Sequence, residues 1–332
     1  RHRVNLHAIY GEFGGQAVER NRIEPRHFAG WIDWAREQGL GLDFNCTLFS
    51  HPLAASGYTL SSEDETVRKF WIEHVEACRA IAAQMGRELE TPCIHNIWIA
   101  DGAKDISLLR LRRRELLRDS LDIIFGTEYS PDEMRDSLES KLFGIGSETY
   151  VVGSHDFYLA YALKHDKMIC MDMGHYHPTE SVADKIPALL LFCDELLLHV
   201  SRPLRWDSDH VVIVNDDLRS LAEEIIRARA LERVRLALDF FDGGINRVGA
   251  WVTGTHATQK ALLVALLEPV ELMRRYERSG DGFAVLALAE EQKAMPMGDV
   301  WDYFCESLQV PAGNAWIHKA QAYEKEVLKR RG

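Results

Sequence analysis

Short apolar runs alternate with longer amphipathic stretches along most of this chain, and that alternation leaves few folds open. "VNLHAIY" (4–10), "GLDFN" (41–45), "CIHNIWIA" (93–100), "SLESKLFGIG" (137–146), "MICMDMG" (168–174), "LLLHVS" (196–201) and "VRLALDFF" (234–241) read as strands. They are largely apolar on both faces, as parallel strands covered on both sides must be. Between them, stretches such as "EDETVRKFWIEHVEACRAIAAQM" and "RSLAEEIIRARALE" carry apolar residues at three- and four-residue intervals, the spacing of an amphipathic helix. Repeated strand–helix units imply right-handed crossovers and a parallel sheet. The expected fold is therefore α/β, a (β/α)8 TIM barrel.

Seven strands are countable where eight are needed, so the first βα unit is expected to lie upstream of Arg1. Residues 1–258 are expected to form the barrel without that unit. The helical stretch at 259–332 ("KALLVALLEPVELMRRYERSG", then "WIHKAQAYEKEVLKRRG") is too long for a closing helix alone. It is expected to be a C-terminal extension that contacts another subunit of a homo-oligomer.

Composition narrows the partners. The formal charge of −12 over 332 residues argues against nucleic acid and anionic membrane, which need concentrated positive charge. Six cysteines, at 46, 78, 93, 170, 193 and 305, include no Cys-x-x-Cys pair, and such a set reads as reduced thiols in the cytoplasm. No stretch approaches eighteen uninterrupted apolar residues, so no membrane-spanning segment is expected.

Chemistry in a barrel gathers at the C-terminal ends of strands, and there this sequence is rich in ligands. "CMDMGHYHPTE" (170–180) leaves an apolar run to deliver Asp172 and His175. The strand before it carries Glu139 and Lys141, two apart and therefore on one side of that strand. The next strand holds His199 and is followed by "RPLRWDSDH", with Asp207 and Asp209, and the last ends at Asp239. Each has a bland reading alone: Asp172 as a helix cap, His199 as a core histidine, Asp207 or Asp209 in a turn. Seven carboxylates and imidazoles at four successive strand ends are costly to bury without countercharge. Mixed Asp/Glu/His ligation suits Mn²⁺, Mg²⁺, Co²⁺ or Zn²⁺, and the number of groups suits two ions. Ser154, His155 and Asp156 in a row are no hydrolase triad, which needs convergence in space; Ser154 is expected to cap the next helix.

The segments "ESKLFGIG", "GHYHPTE", "LLLHVSRPLRWDSDH", "LDFFDGGINR" and "WVTGTHATQKALLVALLEP" closely resemble the L-rhamnose isomerase family, and the similarity runs over essentially the whole chain. The wider pattern is similar to xylose isomerase-type barrels. The resemblance implies a metal-dependent aldose–ketose isomerase, a homotetramer, that interconverts L-rhamnose and L-rhamnulose with a sugar as its small-molecule partner and Mn²⁺ in two sites. By motif, it places one metal on Glu139, Asp172, His199 and Asp239 and the second on His175, Asp207 and Asp209. It places Lys141 on the sugar carbonyl oxygen, His51 at ring opening, and Trp98 and Phe49 as apolar walls. Hydrogen transfer is expected as a hydride shift between C2 and C1; an enediol route would need a base on bound water held by Asp239 or Asp209. Two alternatives stay open: a related metal-dependent barrel acting as a ketose epimerase or other sugar isomerase, and a non-catalytic sugar-binding barrel. Lys141 favours isomerisation.

Overall fold

The computed structural model describes residues 2–142, 149–204, 208–240 and 242–331. In chain order it runs β1 (Arg3–His7), α1 (Ala29–Glu37), β2 (Gly41–Asn45), α2 (Glu65–Leu89), β3 (Cys93–Trp98), β4 (Gly102–Ala103), α3 (Arg110–Ile124), β5 (Met134–Glu139), β6 (Tyr150–Val151) and α4 (His155–His165). Then come β7 (Met168–Asp172), α5 (Val182–Leu189), β8 (Leu196–Val200), α6 (Asp216–Arg227) and β9 (Val234–Leu238). Five helices follow: α7 (Arg247–Leu266), α8 (Val270–Arg278), α9 (Gly282–Lys293), α10 (Met297–Ser307) and α11 (Ala315–Glu326).

Seven strands join in the order β1-β2-β3-β5-β7-β8-β9, and β4 pairs with β6 alone. The β1–β2, β2–β3, β3–β5 and β5–β7 pairings are parallel. The α/β reading holds, and the seven sheet strands fall on the seven apolar runs. Among the described residues, no helix is long and apolar enough to cross a membrane. Several strands end earlier than expected: β1 stops at His7, where Ala8–Tyr10 form a 3₁₀ turn, and β9 stops at Leu238. β5 begins at Met134, opposite Cys93, and stops at Glu139, where its partner β3 stops at Trp98; residues 143–146 of the expected strand lie outside the described residues.

The chain divides into two compact units, Arg1–His177 with Phe192–Leu198, and Pro178–Leu191 with His199–Gly332. In the first unit α2 is the principal covering helix. Asp64 caps it, its Oδ1 accepting from Thr66 N at 2.8 Å and Val67 N at 3.3 Å, which satisfies two otherwise orphaned donors. Trp71, Val75, Cys78, Ala82 and Met85 recur at four- and three-residue steps and are fully buried, so one stripe of the helix faces the core. Gly86 on the same helix passes so close to the chain entering β5 that an added Cβ would sit 1.7 Å from the Glu133 carbonyl oxygen.

Behind β3 and β5 lies a charge from α2. Arg79 is 2% exposed and grips Asp136 through Nε at 3.0 Å and NH2 at 2.9 Å. Its NH1 donates to Thr127 O at 2.8 Å and to Ile124 O, and its guanidinium lies 5.1 Å from the ring centroids of Phe125 and Tyr129. His95 Nδ1 is 3.1 Å from Asp136 Oδ1. Burial alone pushes Asp136 up, but the His95 bond and the Arg79 charge outweigh it and hold the carboxyl below its usual range. The fully buried His95 imidazole is pushed down by desolvation, against the pull of Asp136.

In the second unit α6 is capped by Asn215, whose Oδ1 accepts from Leu218 N at 3.0 Å, and it buries Leu218, Leu221, Ala222 and Ile225. Arg227 at its end donates from Nε to the buried Glu268 at 2.8 Å.

The Gly86 contact generates a prediction. Gly86→Ala should lower stability by roughly 1–3 kcal/mol, the ordinary cost of overpacking, read by guanidinium denaturation. Wild-type stability in that variant would mean that α2 can step away from β5 freely.

Candidate active site

Within the first unit, the C-terminal ends of β3, β5 and β7 carry Trp98, Glu139 and Asp172. Parallel strands present these ends on one side of the sheet, where βα loops meet. Register sets Trp98 directly beside Glu139. Glu139 is 3% and Asp172 1% exposed, and a ligand oxygen of each lies within 4.8 Å of the other.

A turn after β7 brings the next group in. Asp172 Oδ1 accepts from Gly174 N at 2.6 Å, and Asp172 O from His175 N at 3.1 Å. The side chain of Asp172 thus shapes the backbone that carries His175, as aspartate does in tight turns. His175 Nδ1 then lies 3.4 Å from Glu139 Oε1.

Lys141 does not share the strand with Glu139, because β5 has already ended. It is positioned by its backbone N, which donates to Gly153 O at 2.9 Å beside the short β4–β6 ribbon. Its ammonium lies 5.7 Å from the Trp98 ring centroid, and the residue is 2% exposed. Phe49 meets Trp98 edge to face at 5.5 Å.

The loop that carries Phe49 and His51 is held from a distance. Thr47 (φ 54°) and Ser50 (φ 53°) occupy the left-handed region, which costs a residue bearing a Cβ about 1 kcal/mol or more. Arg20 compensates by donating to three backbone carbonyls of that loop: Thr47 O at 2.5 Å, Phe49 O at 2.8 Å and Ser50 O at 3.0 Å.

His51 lines a cleft of about 630 Å³ with Phe49, Tyr58, Asp101 and Lys104. Its ring stacks on Phe70 at 5.0 Å, and its Nδ1 accepts from Leu53 N at 3.2 Å. Asp101 frames this cleft, accepting from Thr59 N and Oγ1 and from Ser61 N and Oγ at 2.6–3.1 Å. Burial still pushes its carboxyl up, against those four bonds.

In the second unit His199 Nδ1 lies 3.0 Å from Asp239 Oδ2. The Asp239 side chain is 51% exposed, that of His199 only 8%. Asp239 N donates to Val200 O at 3.1 Å, tying the two strand ends together. Asp209 is half-buried next to the bridge between Arg202 and His210. Asp207 lies outside the described residues.

Three residues near these groups were not singled out in the sequence. His7 ends β1, with Nδ1 2.9 Å from Thr47 Oγ1 and its ring 6.3 Å from that of Phe49. Asn96 on β3 donates to Glu139 Oε2. Cys170 on β7 places Sγ within 4.8 Å of a Glu139 oxygen. The first two carried a legible sign, a polar residue inside or closing an otherwise apolar strand run. Ser154 differs from expectation: it occupies the N-cap position of α4, but its side chain makes no capping bond and its Oγ accepts from Arg114 at 3.5 Å.

A parallel α/β sheet with acids, imidazoles and a buried lysine at its strand ends defines a TIM-barrel-like enzyme of the metal-assisted kind. The fold is similar to that of a D-tagatose 3-epimerase-like protein, with TM-score 0.54 at 13% identity over 79% of this chain and 89% of that one. The family model described as L-rhamnose isomerase (RhaA) matches residues 1–331, and the chain belongs to that family. It is 54% identical over 330 residues to L-rhamnose isomerase of Rhodopirellula baltica, covering 99% of this chain and 77% of that protein. Identity is 53% to the Bacteroides thetaiotaomicron enzyme and 51% to that of Escherichia coli K12, each over 99% of this chain and 78% of the relative.

Proposed function

We propose that this chain interconverts L-rhamnose and L-rhamnulose, an aldose–ketose isomerisation between C1 and C2 assisted by two divalent cations. Mn²⁺ is the first choice of ion, with Zn²⁺, Co²⁺ and Mg²⁺ as alternatives. The observation that carries this reading is identity above half, across nearly the whole chain, to proteins named for that activity.

The donor chemistry fits such ions. Glu139, Asp172, His199 and Asp239 are assigned to one ion, as the family resemblance implies. His175, Asp207 and Asp209 are assigned to the other. Carboxylate oxygen with imidazole nitrogen suits these cations. When bound, the ions would polarise the carbonyl and hold two adjacent sugar oxygens. Lys141 would donate to the oxygen on which charge develops, while Trp98 and Phe49 wall the reacting carbons from water. Asp239 and Asp209 would hold the water that acts as base if the reaction followed an enediol route.

The test of both metal and route is one assay. Exhaustive chelation should abolish turnover of L-rhamnose and lower the melting temperature, and Mn²⁺ should restore both. Run in D₂O, the restored enzyme should leave little deuterium at C1, the outcome expected of a hydride shift. Full activity without metal, turnover of ketoses by epimerisation, or near-complete early exchange would each overturn the corresponding part.

Two histidines are candidates for the proton transfer that opens the sugar ring. His51 is assigned by the family resemblance. His51 lines the cleft with Phe49, and its Nδ1 accepts from Leu53 N; His7 ends β1, with Nδ1 2.9 Å from Thr47 Oγ1 and its ring 6.3 Å from that of Phe49. His51→Asn should lower kcat about a hundredfold, the usual scale of a lost general acid–base, with His7→Asn close to wild type. The reverse order would move the role to His7.

We also propose a cytoplasmic homotetramer with its subunit contact in 259–332. All six cysteines are free and buried, which supports a reducing compartment. Phe283 on α9 and Tyr303 on α10 are 80% and 73% exposed, which supports a covered surface there. Sedimentation at micromolar protein should give four chains, and a monomer would refute this.

A further inference from the structure

We infer that Asn96 is a positioning residue that decides which oxygen of Glu139 is offered as a ligand, a role resting on the metal reading above. Asn96 pairs with Asn45 of β2 and Ser137 of β5. Strand alternation points its side chain to the same face as Trp98, and Trp98 is the register partner of Glu139. Asn96 and Glu139 are each 3% exposed.

The two oxygens of Glu139 face different groups. Oε2 accepts from the Asn96 amide Nδ2, and Oε1 lies 3.4 Å from His175 Nδ1. A carboxylate with no such donor can turn about its last bond, offering either oxygen or chelating with both. An amide N–H on Oε2 fixes the plane of the group and directs Oε1 toward the side where His175 stands. Groups that hydrogen-bond to ligating carboxylates act in this way on the affinity of metal sites.

The amide itself is oriented without ambiguity. Turned over, Oδ1 would face a carboxylate oxygen, acceptor against acceptor. In the orientation found, Oδ1 is buried with no hydrogen-bond partner among the described residues, a condition that costs stability. An apolar side chain of similar size at this strand position would avoid that cost. The donor on Glu139 is what the asparagine supplies in return. Its backbone is held as well, Asn96 O accepting from Cys46 Sγ at 3.5 Å.

The experiment titrates Mn²⁺ into the chelated chain, for wild type, Asn96→Leu and Asn96→Ala, by calorimetry and by electron paramagnetic resonance of the bound ion. We expect Kd to rise about 10–100-fold in both variants, the scale of lost outer-shell support, with an altered resonance line shape. Melting of the metal-free protein should change little in Asn96→Leu, which separates positioning from folding. If Asn96→Leu fails to fold, Asn96→Ala decides. Affinity within twofold of wild type in the folded variants overturns the role of Asn96 alone. A wild-type chain that binds no Mn²⁺, Zn²⁺, Co²⁺ or Mg²⁺ overturns the metal reading, and this role with it.

Discussion

Six consecutive parallel pairs between β3 and β5, from Cys93–Met134 to Trp98–Glu139, are the constraint on which the rest of the first unit depends. Because side chains alternate across a strand, that one register sends His95 and Asp136 toward α2 and Asn96, Trp98 and Glu139 toward the opposite face. A slip of a single residue would exchange the two sets. The polar residues behind the sheet and those in front of it are thus specified together.

The two faces handle buried charge differently. Behind the sheet, Asp136 is neutralised within the fold by Arg79, which also finds two carbonyls and two aromatic rings. That network closes on itself. In front, ligand oxygens of Glu139 and Asp172 lie within 4.8 Å of one another, and His175 Nδ1 lies 3.4 Å from Glu139 Oε1, donor atoms of the kind divalent ions take.

The parallel sheet was legible because its strands are apolar on both faces, and the strand-end acids because charge is rare in such runs. Other features depend on contacts that spacing does not encode. Lys141 sits two residues after Glu139, which suggested one strand, yet its place is fixed by Gly153 twelve residues on. The β3–β5 ladder ends at Trp98 and Glu139, whereas the apolar "LFGIG" extends the strand pattern in the sequence beyond it. A single polar residue in a strand, such as His7 or Asn96, is usually a satisfied core group, so the sequence alone does not mark either as functional. Only the position of Phe49 and Glu139 beside them shows what they face.

The loop over Thr47–Ser50 is built from residues with side chains where glycine would be unstrained, and Arg20, far back in sequence, holds it in shape. The shape of the aromatic wall is therefore under remote control. A change at residue 20, or glycine at 47 or 50, would alter how firmly Phe49 is pressed toward Trp98 without altering either ring. The fit of these two rings can drift through a residue that touches neither of them.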